Sequence, residues 1–348
     1  MKEYSKRNPR LDFARVMLML FVIGIHTPME SLDLIPTFRT YYFVILFSCD
    51  AAFFTLSGYF LLQKKFTSAA DYRSYYYSRF VTILFPILIF HFILDVLFHR
   101  FVFQIGVANY LKSYAQNLVC NDYQGYLWFM YFYIPLVIFA PFISKMLNHM
   151  SKKELLLLLT IVIVGRIAEW YINSHDMTFN FGTHLISAWT MYFILGHYLY
   201  RFSEELHKFQ ILFYIIGIIA LKITCSHCVD GVVPGNLIPN NYYMVFIFCL
   251  FVFLLHAIPV DKFKGLPSAL TFVAKHSFTV YLTHFEIIEH VKNYLQRFYD
   301  LIHFTPAIGV HNVINVILNI LCSIAFAAII DELIIFRLQG LLRRHKNA

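Results

Sequence analysis

The chain has 348 residues, 59% of them hydrophobic and 14% charged, with 38 Phe, 24 Tyr and a net charge of +8. Soluble globular chains run at about 45–50% apolar and about 25% charged, so the composition excludes that class and indicates a polytopic membrane protein. The basic residues lie mainly between apolar runs, which makes the positive charge a matter of membrane topology rather than of nucleic-acid binding.

A transmembrane helix needs roughly 17–25 apolar residues. About ten stretches qualify: 11–27, 39–62, 79–103, 126–147, 154–172, 184–200, 209–224, 241–258, 268–290 and 311–337. The seventh is the shortest. The expected fold is therefore all-α, a bundle of about ten transmembrane helices forming one membrane domain over 1–348. No loop exceeds roughly 25 residues, which leaves no room for a soluble domain. The first stretch does not read as a cleaved signal peptide, because Arg15 sits early in it and His26-Thr27-Pro28-Met29-Glu30 offers no small-x-small cleavage site. No fixed-period repeat is present. With the N-terminus in the cytoplasm, about 19 basic residues fall on cytoplasmic ends and loops and about six fall outside. That asymmetry predicts an even number of spans with both termini cytoplasmic.

Ionisable side chains within spans are costly and usually face the bundle interior. In the first span Arg15 and His26 are eleven residues apart, which is three helical turns plus about 20°. They share one direction and lie about 16 Å apart along the axis, with Asp12 near the same stripe. A snorkelling arginine and a helix-closing histidine would give the same pattern. The second span carries Asp50, which needs a partner, and Phe53-Phe54-Thr55-Leu56-Ser57-Gly58-Tyr59. There Gly58 allows close helix approach. A cytoplasmic stretch with Arg73 and Arg79 follows, and Arg79 is placed to meet anionic phosphates or lipid headgroups. His91, Asp95 and His99 recur every four residues on one face of the third span, as a metal site or, more commonly, a hydrogen-bonded ladder.

Tyr126-Leu127-Trp128-Phe129-Met130 opens the fourth span as an aromatic belt. Arg166 and Glu169 form an i,i+3 ion pair in the fifth. The loop after the seventh span holds Cys225-Ser-His-Cys228, a disulfide candidate or half a metal site, although one CxxC predicts no metal by itself. The ninth span holds Ser277, Tyr281, His284 and Glu286, the first three on one face. Asn312, Asn315 and Asn319 make a polar stripe on the tenth, suited to joining helices.

In this order the pieces resemble the acyltransferase-3 family of integral-membrane acyltransferases, over nearly the whole chain. Leu11-Asp12-Phe13-Ala14-Arg15 through His26 is similar to that family's Arg-x10-His first helix, and Phe53 through Tyr59 to its FFxxSGY element. Tyr126 through Tyr131 is similar to its HLWFLY element, and Ser277 through His284 to its SxxIYLxH element. Two positions depart: Thr82 stands where a second arginine follows Arg79, and Tyr126 where the family has histidine.

The resemblance implies a multi-pass enzyme of the inner (plasma) membrane. It would move a short acyl group, most often acetyl, from cytoplasmic acyl-CoA to a hydroxyl of a cell-surface or lipid-linked carbohydrate. It implies catalytic roles for His26 and Arg15, and contact with the donor acyl-CoA for Arg79, Arg15 and Arg73. It implies acceptor binding for Ser57, Tyr59, Trp128, His284 and Glu286. No metal cofactor is expected. A hydroxyl is a weak nucleophile at neutral pH and needs a base, which histidine supplies, and His26 could alternatively carry the acyl group itself. A glycan exporter remains a rival reading, but such transporters often carry internal repeats. A non-catalytic partner in polysaccharide synthesis is a third, favoured by Thr82 and opposed by the intact Arg15/His26 pair.

Overall fold

In hydrocarbon a spanning segment must satisfy every backbone N–H and C=O itself, which these long apolar runs do as helices. A computed structural model describes residues 8–29, 36–94, 96–97, 101–120, 127–173, 175, 177–179, 187–228, 241–303 and 306–347. Among them no strand occurs. The helices are α1 (Pro9–His26), α2 (Pro36–Leu61), α3 (Ala69–Arg79), α4 (Phe85–Leu94), α5 (Phe101–Ile105), α6 (Val107–Cys120), α7 (Trp128–His149) and α8 (Lys152–Asn173). They continue as α9 (Ala188–His207), α10 (Gln210–Ser226), α11 (Asn241–His256), α12 (Leu266–Leu301), α13 (Ile308–Ile330) and α14 (Phe336–Asn347). Each of the ten apolar stretches overlaps at least one of these helices.

Among the described residues, six helical stretches are long and apolar enough to cross a membrane: Pro36–Leu61, Ala69–Leu94, Trp128–His149, Lys152–Asn173, Tyr242–Lys262 and Ile308–Arg344. The pair α9 and α10, bent by 117° at its short break, makes a seventh if taken as one broken span. The protein is thus an all-α, multi-pass membrane protein.

Several boundaries differ from the hydropathy reading. The helical stretch holding the third span begins at Ala69 rather than 79, because Ser68 and Asp71 form a capping box. The Ser68 side chain takes a bond from the Asp71 N–H, and the Asp71 carboxylate takes one from the Ser68 N–H. Arg73 and Arg79 therefore stand on one helix. Between α3 and α4 the chain makes a π-turn, Phe80–Leu84, and a second, Asp331–Ile335, joins α13 to α14. Such one-residue insertions recur at functional sites.

The chain divides into two compact units. The first comprises Met1–Lys65, Ala140–Lys275 and Pro306–Val316. Its core joins Leu18, Ala52, Leu56, Leu199, Phe251 and Leu255 from α1, α2, α9 and α11. α2 and α9 cross at two glycines. A Cβ on Gly58 would lie 1.8 Å from the Phe193 carbonyl oxygen, and one on Gly196 would lie 2.0 Å from that of Thr55. The Ser144 hydroxyl on α7 donates to the Leu62 carbonyl at 2.9 Å and ties down the end of α2.

The second unit comprises Phe66–Phe139, His276–Thr305 and Ile317–Ala348. Tyrosines on α3 donate to carbonyls of α7: Tyr75 to that of Val137 at 2.8 Å and Tyr76 to that of Ile138 at 3.0 Å. Gln339 on α14 donates to the Val81 carbonyl inside the first π-turn at 3.0 Å. The amphipathic α6 packs against α4, with the Tyr114 hydroxyl on the Leu88 carbonyl at 2.7 Å.

Candidate active-site residues

Arg15 and His26 lie on one unbroken helix, as the spacing predicts. Asn8 caps α1 by accepting from the Arg10 N–H at 3.0 Å, and Pro9 occupies the first helical position, where its missing N–H costs nothing. Arg15 is held on two sides. Its guanidinium lies 3.8 Å from the Asp12 carboxylate and 5.0 Å from the centroid of the Phe60 ring. Asp12 is 2% exposed, and its other oxygen accepts from the Thr271 hydroxyl at 2.9 Å. The carboxylate thus fixes Arg15 to α12 through a polar bridge.

His26 is the last residue of α1, and its side chain is exposed. The backbone around it is pinned rather than frayed. The buried Thr27 hydroxyl donates to the Ile23 carbonyl at 2.8 Å, and the Tyr42 hydroxyl donates to the Gly24 carbonyl at 2.9 Å. Beyond the imidazole, Asn315 donates to the Pro28 carbonyl at 3.3 Å. The arrangement presents an imidazole at a pinned helix end. Tyr42 was not singled out by the sequence, and Asn315 was read as a helix-joining residue, which it is here.

On α2, Gly58 serves the close crossing with α9, and Ser57 stands beside it half-buried. Tyr59 packs edge-on to Tyr200, with ring centroids 5.4 Å apart, and lies 6.4 Å from the Phe251 ring. Asp50, in the middle of α2, accepts a weak bond from the Cys49 thiol at 3.6 Å. Arg166 and Glu169 form the expected ion pair, at 2.5 Å. Cys225 falls in the last turn of α10 and Cys228 just beyond it, both as free thiols; α10 runs further than the hydropathy reading placed it.

In the second unit Arg79 closes α3 where the π-turn begins. Its guanidinium lies 5.6 Å from the Tyr75 ring centroid, and its Nε is buried without a hydrogen bond among the described residues. Arg79 is thus a partly buried cation held against an aromatic ring. Arg73, six residues back, is exposed on a different side of α3. The later two motifs meet here: the Phe129 ring lies 5.7 Å from Tyr281, and Trp128 lies 6.1 Å from Phe129. His284 is buried, with Nδ1 2.7 Å from the Tyr281 carbonyl, and Glu286 is 7% exposed. Tyr126 and the side chains of His91, Asp95 and His99 lie outside the described residues. Among the described residues no group of three metal-ligating side chains occurs. The sequence reading missed His276 and Asp331, a buried bonded pair in this unit.

Long apolar helices, with cations and imidazoles held on them, define an integral-membrane protein. The chain belongs to the acyltransferase-3 family, whose model, described as an acyltransferase domain, matches residues 8–332. No curated protein and no solved structure matches the chain. The protein is a multi-pass membrane acyltransferase.

Proposed function

We propose that the protein sits in the inner (plasma) membrane with both termini in the cytoplasm. There it transfers a short acyl group, acetyl first among them, from cytoplasmic acyl-CoA to a hydroxyl of a cell-surface or lipid-linked carbohydrate. The observation that carries this reading is the Arg15/His26 helix, with its arginine clamped by Asp12 and Phe60 and its histidine on a pinned terminus. His26 takes the proton of the acceptor hydroxyl as the oxygen attacks the thioester carbon. The C–S bond breaks when the tetrahedral oxyanion collapses, and the proton ends on the CoA thiol. Arg15, about 16 Å away along the helix, supplies positive charge for the CoA portion of the donor. Arg79 binds CoA phosphate through its fixed guanidinium, with the exposed Arg73 as an outlying cation. Ser57, Tyr59, Trp128, His284 and Glu286 are assigned to the acceptor. Aromatic rings offer apolar faces to a sugar, and polar side chains bind its hydroxyls. The test is mass spectrometry of surface glycans from cells with and without the protein. The expected result is an acyl modification that disappears with it, and glycans unchanged in both composition and amount would refute the reading.

A further inference from the structure

His276 and Asp331 belong to none of the four motifs, yet they form a deeply buried hydrogen-bonded pair in the second unit. Their side chains are 0% and 2% exposed, with His276 Nδ1 2.7 Å from Asp331 Oδ2. The Thr279 hydroxyl donates to the other oxygen, Asp331 Oδ1, at 2.5 Å. Glu332 Oε1 lies 4.0 Å from His276 Nε2, and the Phe336 ring lies 5.6 Å from the imidazole. A carboxylate in an apolar interior is retained only when paired and hydrogen-bonded, and here both of its oxygens are engaged by α12.

The placement of these bonds matters more than their number. Positions 276 and 279 are three residues apart, so both donors lie on one side of α12. Two bonds from one side to a single carboxylate fix the rotation of the helix about its axis as well as its distance. The carboxylate is presented by the first residue of the Asp331–Ile335 π-turn, where the helix departs from regular geometry. The same helix carries His284 and Glu286 one to three turns further on, so the rotation set at Asp331 determines where those side chains aim.

We infer that Asp331 is a positioning residue for the acyl acceptor: through His276 and Thr279 it sets the rotation of α12 and so the aim of His284 and Glu286. The inference rests on the proposed assignment of those two residues to acceptor binding. Asp331 itself does not touch the substrate.

The test uses the purified full-length protein, radiolabelled acetyl-CoA and detergent-solubilised lipid-linked glycan from the same membranes, each varied separately. The double variant His276→Leu/Asp331→Leu removes both polar partners together and leaves neither buried without the other. It is expected to lose about 10-fold or more in acceptor kcat/KM, as small misplacements of binding groups do, with the acetyl-CoA KM unchanged. Thr279→Val removes one bond at constant shape and is expected to give a smaller loss confined to the acceptor. His276→Asn keeps an N–H donor near the Nδ1 position and is expected to stay within about threefold of wild type. Wild-type acceptor parameters in both the double variant and Thr279→Val would overturn the inference. So would equal losses for donor and acceptor in Thr279→Val, which settles the question even where the double variant fails to accumulate. Absence of glycan acylation by the wild-type protein would instead refute the carbohydrate reading before any variant is compared.

Discussion

Replacing His26 tests the proposed chemistry most directly, because the backbone around it is held by other residues. The imidazole is exposed at the end of α1, while Thr27, Tyr42 and Asn315 hold the surrounding backbone. Truncating an exposed side chain usually changes stability by about 0.5 kcal/mol or less, so His26→Ala is expected to insert and accumulate normally. Loss of a general base costs about 10²–10⁴-fold in rate, equivalent to about 3–5 kcal/mol at 1.36 kcal/mol per tenfold. The stability effect is too small to imitate that loss. His26→Asn is the sharper variant, since it keeps a hydrogen-bonding side chain of similar reach but cannot take a proton at neutral pH. Both variants are expected to fail in an acylation assay on membranes carrying equal amounts of protein. Near-wild-type turnover by His26→Asn would remove both the base and the acyl-histidine roles.

Arg79→Ala is expected to raise the KM for acyl-CoA about 10-fold or more, since hydrogen bonds to charged groups contribute about 1.5–3 kcal/mol; an effect confined to the acceptor would place Arg79 at the wrong substrate. Gly58→Ala is expected to destabilise the protein by about 1–3 kcal/mol or more, because the added methyl would lie 1.8 Å from a carbonyl oxygen. Its retention of native size after heating in detergent should fall at a lower temperature, and an unchanged midpoint would contradict the crossing geometry. Cysteines placed at either terminus are expected to resist an impermeant thiol reagent in intact cells, and labelling of the C-terminus would refute an even number of spans.

Helix existence was legible from hydropathy because each apolar run had to become a helix once it entered hydrocarbon. The Arg15/His26 alignment was legible too, since both residues share one helix and the helical period alone sets their relation. The start of α3 was misplaced because hydropathy is blind to a polar helix end; the Ser68/Asp71 capping box was in the sequence and marks it. α6 escaped notice for the same reason, being amphipathic rather than uniformly apolar. The partnerships of buried charge were beyond single-sequence reading. Asp12 meets Thr271 across 259 residues, and His276 meets Asp331 across 55. No local period connects such distances, and only packing brings them together. The Cys225/Cys228 spacing likewise left open what the structure answers with two free thiols.

The glycine crossing of α2 and α9 also limits how this protein can vary. A side chain that collides with another side chain can be relieved by a smaller residue opposite. At Gly58 and Gly196 the opposing atoms are main-chain atoms, the carbonyls of Phe193 and Thr55, and no substitution shrinks a carbonyl. Suppressors of Gly58→Ala therefore cannot arise by trimming the facing residue. They would have to slide or tilt α9 as a whole, and that movement would carry Tyr200 away from Tyr59 and disturb the motif the crossing holds in place. A second-site screen should return changes at loops and helix ends that permit such a shift, and none at position 193.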